Sequence, residues 1–404
     1  MDFAEINIYN LLILCGDYLV YSPCLASEAW VVYIYNRLKW PNFTWDKQEI
    51  DKILIDIAYQ QGLMNGKMLS LGFEIKEKAT REALTTEIIQ SSSIEGLQLD
   101  AMEVHSSVAR HLGIDIGGVL PVDRHVDGIV EMLLDATQKH QADISIERLC
   151  QWHSWLFPNS INGLMLINPG ALRNDSEGPM QVVSGGYGRE KVHFRAPDAK
   201  ELTHELQKFC QWFNDDQTHV PPIIKAGIAH FWLVTLHPFD DGNGRISRAI
   251  TDMALAKAEK TSSRFYSMSA QIRKQRKGYY QILEKCQKGS VDISDWLVWF
   301  LECLKEAVAQ SDDILEHVLN KAKFWQQHAT DTFNKRQVSM INLLFDGFNG
   351  KLTTSKWAKI IKCSQDTASR DINQLVAINA LKKSAEGGRS TNYLLVDFPI
   401  NQKQ

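Results

Sequence analysis

The stretch HPFDDGNGRISR, residues 237–248, holds a histidine, two aspartates, two glycines around an asparagine, and two arginines. Residues 222–236 before it repeat apolar side chains at helical spacing and stop at Pro238, and the RISRAITDMALAKA run begins a new helix. The stretch is therefore predicted to be a tight loop that leads into a helix N-terminus. Backbone N–H groups at such an end attract anions, so an anion site is predicted here.

The side chains of this loop suit a polyphosphate. Gly242 and Gly244 let the backbone approach phosphate oxygens and adopt positive φ, and Asn243 adds a neutral donor. Arg245 and Arg248 lie three positions apart on one helix face, where two guanidinium groups can grip phosphates. The loop lacks the lysine that closes a nucleotide-binding P-loop, so its phosphate site is of another kind.

A carboxylate and a histidine complete the chemistry. Asp240 or Asp241 can supply the carboxylate that Mg²⁺ takes from a protein, beside water and phosphate oxygens. His237 can take a proton from an attacking hydroxyl. Together these groups suffice to transfer the phosphoryl group of a nucleotide to an alcohol, whereas any one of them alone would suit a solvated surface loop.

These residues resemble the signature of the Fic family, H-x-F-x-[D/E]-G-N-G-R-x-x-R. The resemblance extends over residues 30–310 and implies an all-α core that carries one β-hairpin flap. The fold class is therefore predicted to be mainly α, with a Fic-type helical core, an N-terminal helical inhibitory region and a C-terminal winged helix-turn-helix. The matching positions are His237, Phe239, Asp241, Gly242, Asn243, Gly244, Arg245 and Arg248.

The resemblance also implies an activity. Most Fic enzymes transfer AMP from ATP to a Ser, Thr or Tyr hydroxyl of a target protein and release pyrophosphate. By the resemblance, His237 would be the base, Asp241 would hold Mg²⁺, and Phe239 would anchor the loop in the core. Relatives that phosphorylate instead carry a lysine where Gly244 stands, so this glycine favours AMP transfer.

The resemblance assigns further residues to ATP. Gly242, Asn243 and Gly244 would line the anion hole around the α-phosphate, while Arg245 and Arg248 would hold the β- and γ-phosphates.

The segment KGYYQIL, residues 277–283, resembles the part of the family that closes over adenine. It nominates Tyr279 and Tyr280, although a tyrosine pair on a helix would equally suit core packing. Gln287 stands where relatives often have asparagine, so a contact between Gln287 and the base stays open.

The segment PMQVVSGGYGREKVHFRAP has two β-prone runs, 180–184 and 191–195, around a glycine-rich turn. The resemblance implies a flap that pairs with an extended target segment through backbone hydrogen bonds. Val192 and His193 would lie nearest the site, unless the histidine is only a solvated strand residue. Because such pairing reads little sequence, the target protein stays unidentified.

The segment SSSIEG, residues 91–96, fits the inhibitory pattern of the family, [S/T]-x-x-x-E-[G/N], with Ser91, Glu95 and Gly96. A carboxylate beside Arg248 would satisfy that arginine and repel the γ-phosphate, so ATP would bind in a non-productive pose. The alternative is an exposed glutamate at a helix end. In some relatives the same glutamate helps water to remove AMP from the target, so removal of AMP is a second activity to test.

From residue 335 onward the pattern resembles a winged helix-turn-helix, with a wing that turns at Gly387–Gly388. Over residues 351–392, eight Lys and Arg stand against three Asp and Glu. The SQDTASRDINQL segment would be the recognition helix and could enter a DNA major groove. Asp366 and Asp371 dilute its positive charge, however, and such modules also make protein–protein contacts.

Composition is that of an ordinary soluble protein, with 44% hydrophobic and 23% charged residues in 404. The net charge of -4 gives no global attraction to nucleic acid or anionic lipid. Seven scattered cysteines without a C-x-x-C pair favour a reducing compartment. The apolar run around residues 11–14 is too short to span a membrane. We therefore expect a cytoplasmic protein with no membrane partner.

Four regions are expected. They are an extension of undetermined role at 1–29, a helical region with the inhibitory motif at 30–112, the Fic core at 122–310, and the winged helix-turn-helix at 335–398. A glycine-rich break at 113–121 separates the second region from the third.

Two functions compete at this point. The leading hypothesis is an autoinhibited protein adenylyltransferase that uses ATP and Mg²⁺ and docks a target protein on the flap. The rival is a DNA-binding regulator whose Fic-like core only senses a nucleotide. The intact His237 favours the enzyme, because sensing needs no general base. A homodimer, and contact of the winged helix with DNA or protein, are left open.

Overall fold

The computed structural model describes residues 14–15, 18–19, 32–69, 73–114, 122–158, 161–162, 165–176, 178–184, 191–345, 348, 350–384 and 391–396. Within these ranges the chain is mainly helical, and its strands form four short antiparallel pairs. Among the described residues, no helix combines the length and the apolar character needed to cross a bilayer.

Three helices open the fold: α1 (Lys47–Leu69), α2 (Phe73–Ile94) and α3 (Ala101–His111). Asp100 caps α3 by accepting hydrogen bonds from two backbone N–H groups of its first turn, and this helix was not separately predicted. α2 stops just before Glu95, because Gly96 takes a positive φ of 84°.

The next five helices build the scaffold of the predicted loop. They are α4 (Arg124–Gln138), α5 (Ile146–Leu156), α6 (Ala199–Asn214), α7 (Pro222–Leu236) and α8 (Asn243–Glu259). α7 is buried almost all round and packs along α8. At Gly227 an added Cβ would lie 2.9 Å from the Phe300 ring, so this glycine lets α7 approach the helix that carries Phe300.

Four more helices enclose the scaffold. They are α9 (Met268–Lys274), α10 (Arg276–Gln287), α11 (Ser294–Ala309) and α12 (Ser311–Gln327). α1 packs along α11, and α2 packs against α9 and α12. One hydrophobic core, running from Ile34 to Val318, therefore joins the N-terminal helices to the scaffold.

The predicted hairpin is present as β5 (Gln181–Ser184) and β6 (Lys191–Arg195). The two strands pair antiparallel, with Val183 opposite Val192. Its glycine-rich turn lies outside the described residues. Two further pairs of two-residue strands were not predicted: β1 (Leu14–Cys15) with β2 (Tyr18–Leu19), and β3 (Ile161–Asn162) with β4 (Met165–Leu166).

A second hydrophobic core, from Phe324 to Leu395, holds the C-terminal part. Its elements are α13 (Lys335–Phe345), α14 (Thr354–Ile361), α15 (Gln365–Ala377), β7 (Leu381–Lys383) and β8 (Tyr393–Leu395). The order of three helices followed by two paired strands agrees with the sequence pattern, while the winged-helix interpretation and the contact with DNA stay predictions. Gly387–Gly388 lie outside the described residues.

The expected role of Asp371 needs a correction. Its side chain is buried and accepts hydrogen bonds from Arg336 Nε at 2.7 Å and Nη2 at 2.9 Å. Arg336 holds the pKa of this carboxyl low against the effect of burial. The charge of Asp371 is therefore paired with that of Arg336 within the C-terminal part. Of the two acids, only Asp366 is exposed on α15.

Candidate active site

The predicted loop joins the end of α7 to the start of α8. His237 adopts the left-handed conformation at φ 49°, and Gly242 does so at φ 80°. A Cβ at Gly242 would lie 2.9 Å from the Phe157 ring, so only glycine fits there without displacement. Gly242 has no side chain with which to cap α8, which leaves the first N–H groups of this helix available to an anion.

Asn243 closes the loop on itself. Its Oδ1 accepts from the Phe239 N–H at 2.9 Å, and its Nδ2 donates to the Phe239 carbonyl at 2.7 Å. The Phe239 ring is fully buried and stacks on His153 with centroids 4.3 Å apart, which agrees with its predicted anchoring role. The Asn243 side chain therefore fixes the loop instead of being available as the phosphate donor predicted from sequence, and the group that Asn243 could offer to an anion is its backbone N–H.

His237 is prepared to accept a proton. Its Nδ1 lies 3.3 Å from the Val234 carbonyl oxygen. Because a carbonyl can only accept, this contact places the proton on Nδ1 and leaves Nε2 with a free lone pair. Burial lowers the pKa of His237 to about 4, so the imidazole is neutral at pH 7.

Arg173 supports this histidine and was missed by the sequence analysis. Its Nε donates to the His237 carbonyl at 2.7 Å, its Nη1 to Asp175 at 2.7 Å, and its Nη2 to the Pro197 carbonyl. One buried guanidinium thus ties the strained loop to the base of the hairpin. Its partners on the loop and the hairpin lie 64 and 24 positions away, so no local pattern marks it.

Two buried arginines converge on the start of α8. The Arg245 guanidinium lies 5.0 Å from the centroid of the Phe157 ring and 3.7 Å from Asp241 Oδ2. Arg248 is 2% exposed, and its Nε donates to Ser91 Oγ at 2.8 Å. Among the described atoms, Arg245 Nε and Arg248 Nη1 have no hydrogen-bond partner, although both are buried. Such unused donors suit an anionic ligand.

Glu95 occupies part of this space. Its Oε1 accepts from Arg248 Nη2 at 2.8 Å, and its Oε2 accepts from the Tyr280 hydroxyl at 3.3 Å. Burial alone would raise the pKa of Glu95, but the charge and hydrogen bond of Arg248 outweigh it and lower that pKa. A Cβ at Gly244 would lie 2.2 Å from Glu95 Oε1, so the carboxylate rests directly on the first turn of α8. The predicted contact between Glu95 and Arg248 is thus present.

Residues of α9 and α10 hold the end of α2 in place. Arg276 Nε donates to the Ile94 carbonyl at 2.6 Å, and its guanidinium lies 5.1 Å from the Tyr280 ring centroid. Arg273 Nε donates to Ser93 Oγ at 3.1 Å. Such donors satisfy groups that would otherwise lack partners at a helix C-terminus. The position of Glu95 therefore depends on α10 as well as on Arg248.

The two tyrosines nominated for adenine lie in different surroundings. Tyr279 is 1% exposed, and its hydroxyl lies 2.8 Å from His230 Nε2, which fits the core-packing alternative rather than contact with a ligand. Tyr280 is 38% exposed beside Glu95. Gln287 is buried and donates to Thr235 Oγ1 at 3.3 Å, so its amide faces the interior.

The hairpin residues also differ from each other. Val183 and Val192 are 48% and 40% exposed and form an open apolar pair. His193 is not a solvated strand residue, because its Nδ1 lies 2.7 Å from Glu284 Oε2 and its Nε2 lies 2.6 Å from Ser184 Oγ. His193 therefore attaches the hairpin to α10.

The two acids of the loop differ as possible ligands for Mg²⁺. Asp241 lies at the N-terminus of α8, and its side chain is 40% exposed. Asp240 lies near Arg173, and burial raises its pKa. Among the described residues, no group of three or more His, Cys, Asp or Glu could hold a metal ion. A single exposed carboxylate suits Mg²⁺ when phosphate oxygens supply further ligands, which fits Asp241.

Two stretches of the chain are similar to known protein families. Residues 143–255 match the model of the Fic/DOC family, and residues 33–114 match a domain of unknown function, DUF4172. This chain contains a Fic/DOC domain. The matched range includes α5 to α7 and most of α8, whereas Glu95 belongs to the DUF4172 region. The pair formed by Glu95 and Arg248 therefore joins the two matched regions.

Relatives and solved structures carry the same domain. Protein adenylyltransferase Fic of Drosophila melanogaster is 25% identical over 234 residues, which cover 57% of this chain and 42% of that protein. The Drosophila grimshawi protein of the same name is 24% identical over the same length. The match thus spans less than half the length of these relatives. A Fic family protein from Desulfovibrio desulfuricans G20 covers 89% of this chain and 99% of its own, with TM-score 0.51 and 18% identity, which shows a shared fold.

Proposed function

We propose that this chain is a protein adenylyltransferase that transfers AMP from ATP to a hydroxyl of a target protein and that Glu95 holds it inactive. The observation that carries the proposal is the neutral His237, with Nε2 free, beside the open N-terminus of α8 and two buried arginines. The relatives named protein adenylyltransferase Fic support it at the level of the family.

In the proposed reaction the target hydroxyl oxygen attacks the α-phosphorus while His237 Nε2 takes the hydroxyl proton. A bond forms between that oxygen and phosphorus, and the bond to pyrophosphate breaks, so its electron pair leaves with pyrophosphate. The first N–H groups of α8 stabilise the charge that develops on the α-phosphate. Asp241 would hold Mg²⁺, which when bound supplies positive charge to the phosphates.

The proposed inhibition follows from the contacts of Arg248. Its Nη2 is shared between the Ser91 carbonyl at 2.9 Å and Glu95 at 2.8 Å, so it cannot also hold a γ-phosphate. The Glu95 carboxylate would repel that phosphate as well. ATP would then bind without the in-line geometry that attack on the α-phosphorus requires.

The hairpin supports a protein as the second substrate. Val183 and Val192 form an exposed apolar pair on a two-stranded sheet, which suits an extended peptide that adds as a strand. His193 and Glu284 would keep this surface fixed relative to α10.

The test is labelled-AMP incorporation into protein, followed by mass spectrometry to locate the modified hydroxyl. In the Glu95→Gly protein, which lacks the proposed inhibition, His237→Ala should lower transfer by a factor of about 10² or more, because general-base catalysis is lost. Its ATP binding should persist, since the arginines and α8 remain. His219→Ala in the same protein, at an exposed histidine, is the matched control and should behave like Glu95→Gly alone. Equal incorporation by Glu95→Gly with and without His237→Ala would overturn the proposed role.

A further inference from the structure

The outer face of α1 carries an ordered row of side chains that neither the nucleotide site nor the hairpin uses. The row, here called the ladder, consists of Asp51, Ile55, Tyr59, Leu63 and Lys67, each four positions after the last. Its three apolar members are 69%, 68% and 50% exposed. Solvent exposure of three large apolar side chains on one ridge of a helix marks an interaction surface.

A shallow groove runs beside the ladder. The neighbouring row of α1 consists of Ala58, Gly62 and Gly66, all exposed. A Cβ added at either glycine would meet no described heavy atom within 4 Å. Rows of residues four apart form the ridges of a helix, and such ridges pack into the grooves of a second helix at a crossing angle of about −50°. α1 thus presents a ridge and a matching groove side by side.

We propose that the ladder binds a second copy of this chain through the same face of its own α1. Along α1 the ladder runs from an acid through an apolar, an aromatic and an apolar residue to a base. When a second α1 runs in the opposite direction, each acid therefore lies opposite a base and each apolar residue lies opposite an apolar residue. Ile55 then meets Leu63 of the second copy, and Asp51 meets Lys67 of the second copy. A two-fold axis repeats both contacts, which is the requirement for an isologous interface.

The contact that Lys67 makes within its own chain is compatible with this pairing. Its ammonium lies 2.6 Å from Asp312 on α12, and both side chains are about half exposed. An exposed pair of this kind contributes little stability, and an ammonium has three donors. Lys67 can therefore contact Asp312 and the second copy together.

The size of the contact sets its expected strength. One pair of crossed helices buries less than the standard interface of about 1,600 Å². We therefore expect a reversible dimer that forms at micromolar concentrations. Its interface lies within the DUF4172 region, and its formation does not depend on the proposed enzymatic activity.

The first experiment is sedimentation velocity of the full chain over a range of concentrations. The parent should shift from monomer to dimer as its concentration rises, and Tyr59→Glu should stay monomeric throughout. Asn65→Asp, exposed on α1 away from the ladder, should dimerise like the parent. Circular dichroism should show equal helix content in all three, since these side chains are exposed. A parent that stays monomeric at tens of micromolar, or a Tyr59→Glu protein that dimerises normally, would overturn the proposal.

Charge reversal tests the orientation. Asp51→Lys and Lys67→Asp should each weaken self-association, because each places like charges opposite one another. Mixed together, the two single variants should associate as heterodimers, since both contacts then join opposite charges. Asp312→Asn removes an ionic partner of Lys67 within the chain and should associate like the parent. If the mixture shows no preference for heterodimers, the antiparallel pairing is wrong.

Discussion

At the scale of single residues, Gly244 shows how closely Glu95 fits the start of α8. An alanine methyl at this position would lie 2.2 Å from Glu95 Oε1, so Gly244→Ala should displace the Glu95 carboxylate from Arg248 and make the folded protein less stable than the same change does when Glu95 is absent. In a Glu95→Gly background the same change should instead be neutral or stabilising, because alanine favours helix over glycine.

Urea unfolding of the four proteins in this double-mutant cycle measures the coupling. Gly278→Ala is the control, since its Cβ would meet Trp299 only at 3.8 Å, an ordinary contact distance. If Gly244→Ala has the same effect in both backgrounds, Glu95 does not occupy this position in solution.

The sequence predicted the contact between two residues that belong to recognisable motifs, and it left open or missed contacts that no motif marks. Glu95 and Arg248 could be paired from sequence because both belong to recognisable patterns. Tyr279 faces the interior, where it contacts His230, 49 positions away. His193 is held against α10 by Glu284, 91 positions away. Such contacts exist only after folding, and for that reason the role of Arg173 was not predicted either.

At the scale of elements, α10 links the proposed nucleotide site to the proposed inhibitory segment. Arg276 holds the last carbonyl of α2 and contacts Tyr280, which in turn donates to Glu95. Arg276→Ala should therefore loosen Glu95 and raise AMP incorporation several-fold, though less than removal of Glu95 itself, because Arg248 still holds the carboxylate.

The matched control for this element is Lys277→Ala, the exposed neighbour of Arg276. Initial rates of labelled-AMP incorporation should rise for Arg276→Ala and match the parent for Lys277→Ala. A rate for Arg276→Ala at or below the parent rate, with ATP affinity unchanged, would contradict the role assigned to α10.

Elements with strong local signals were predicted well. α7 begins at Pro222 and ends before Pro238, and its observed bounds agree with the prediction because proline fixes both ends. The hairpin strands were found from their β-branched residues and glycine-rich turn. α3 and the strands at 161–166 were not predicted, because the signals of such short elements are weak without their tertiary partners.

At the scale of the whole molecule, buried histidines make stability depend on pH. Burial lowers the pKa of His230 to about 3, below its ordinary value of about 6.5. Between these values the unfolded chain binds a proton that the folded chain does not, so the free energy of unfolding falls as pH drops through this window. One histidine contributes a slope of up to about 1.4 kcal/mol per pH unit.

Urea unfolding between pH 7 and pH 5 checks this dependence. His230→Gln should show a smaller loss of stability on acidification than the parent, while exposed His219→Gln should match it. The comparison between variants is needed because burial raises the pKa of Asp252 to about 7. This raised pKa makes the free energy of unfolding increase as pH falls, which opposes the effect of His230. Identical slopes for His230→Gln and parent would show that His230 does not remain neutral in the folded state.

The central claim for the whole molecule is that Glu95, in one matched region, restrains Arg248 in the other. The most direct measurement is labelled-AMP incorporation by the parent, by Glu95→Gly, and by Glu95→Gly combined with His237→Ala. We expect a strong rise in the second protein, since Arg248 is freed for the γ-phosphate, and a loss of that rise in the third, which lacks the base. A Glu95→Gly protein no faster than the parent would contradict the account.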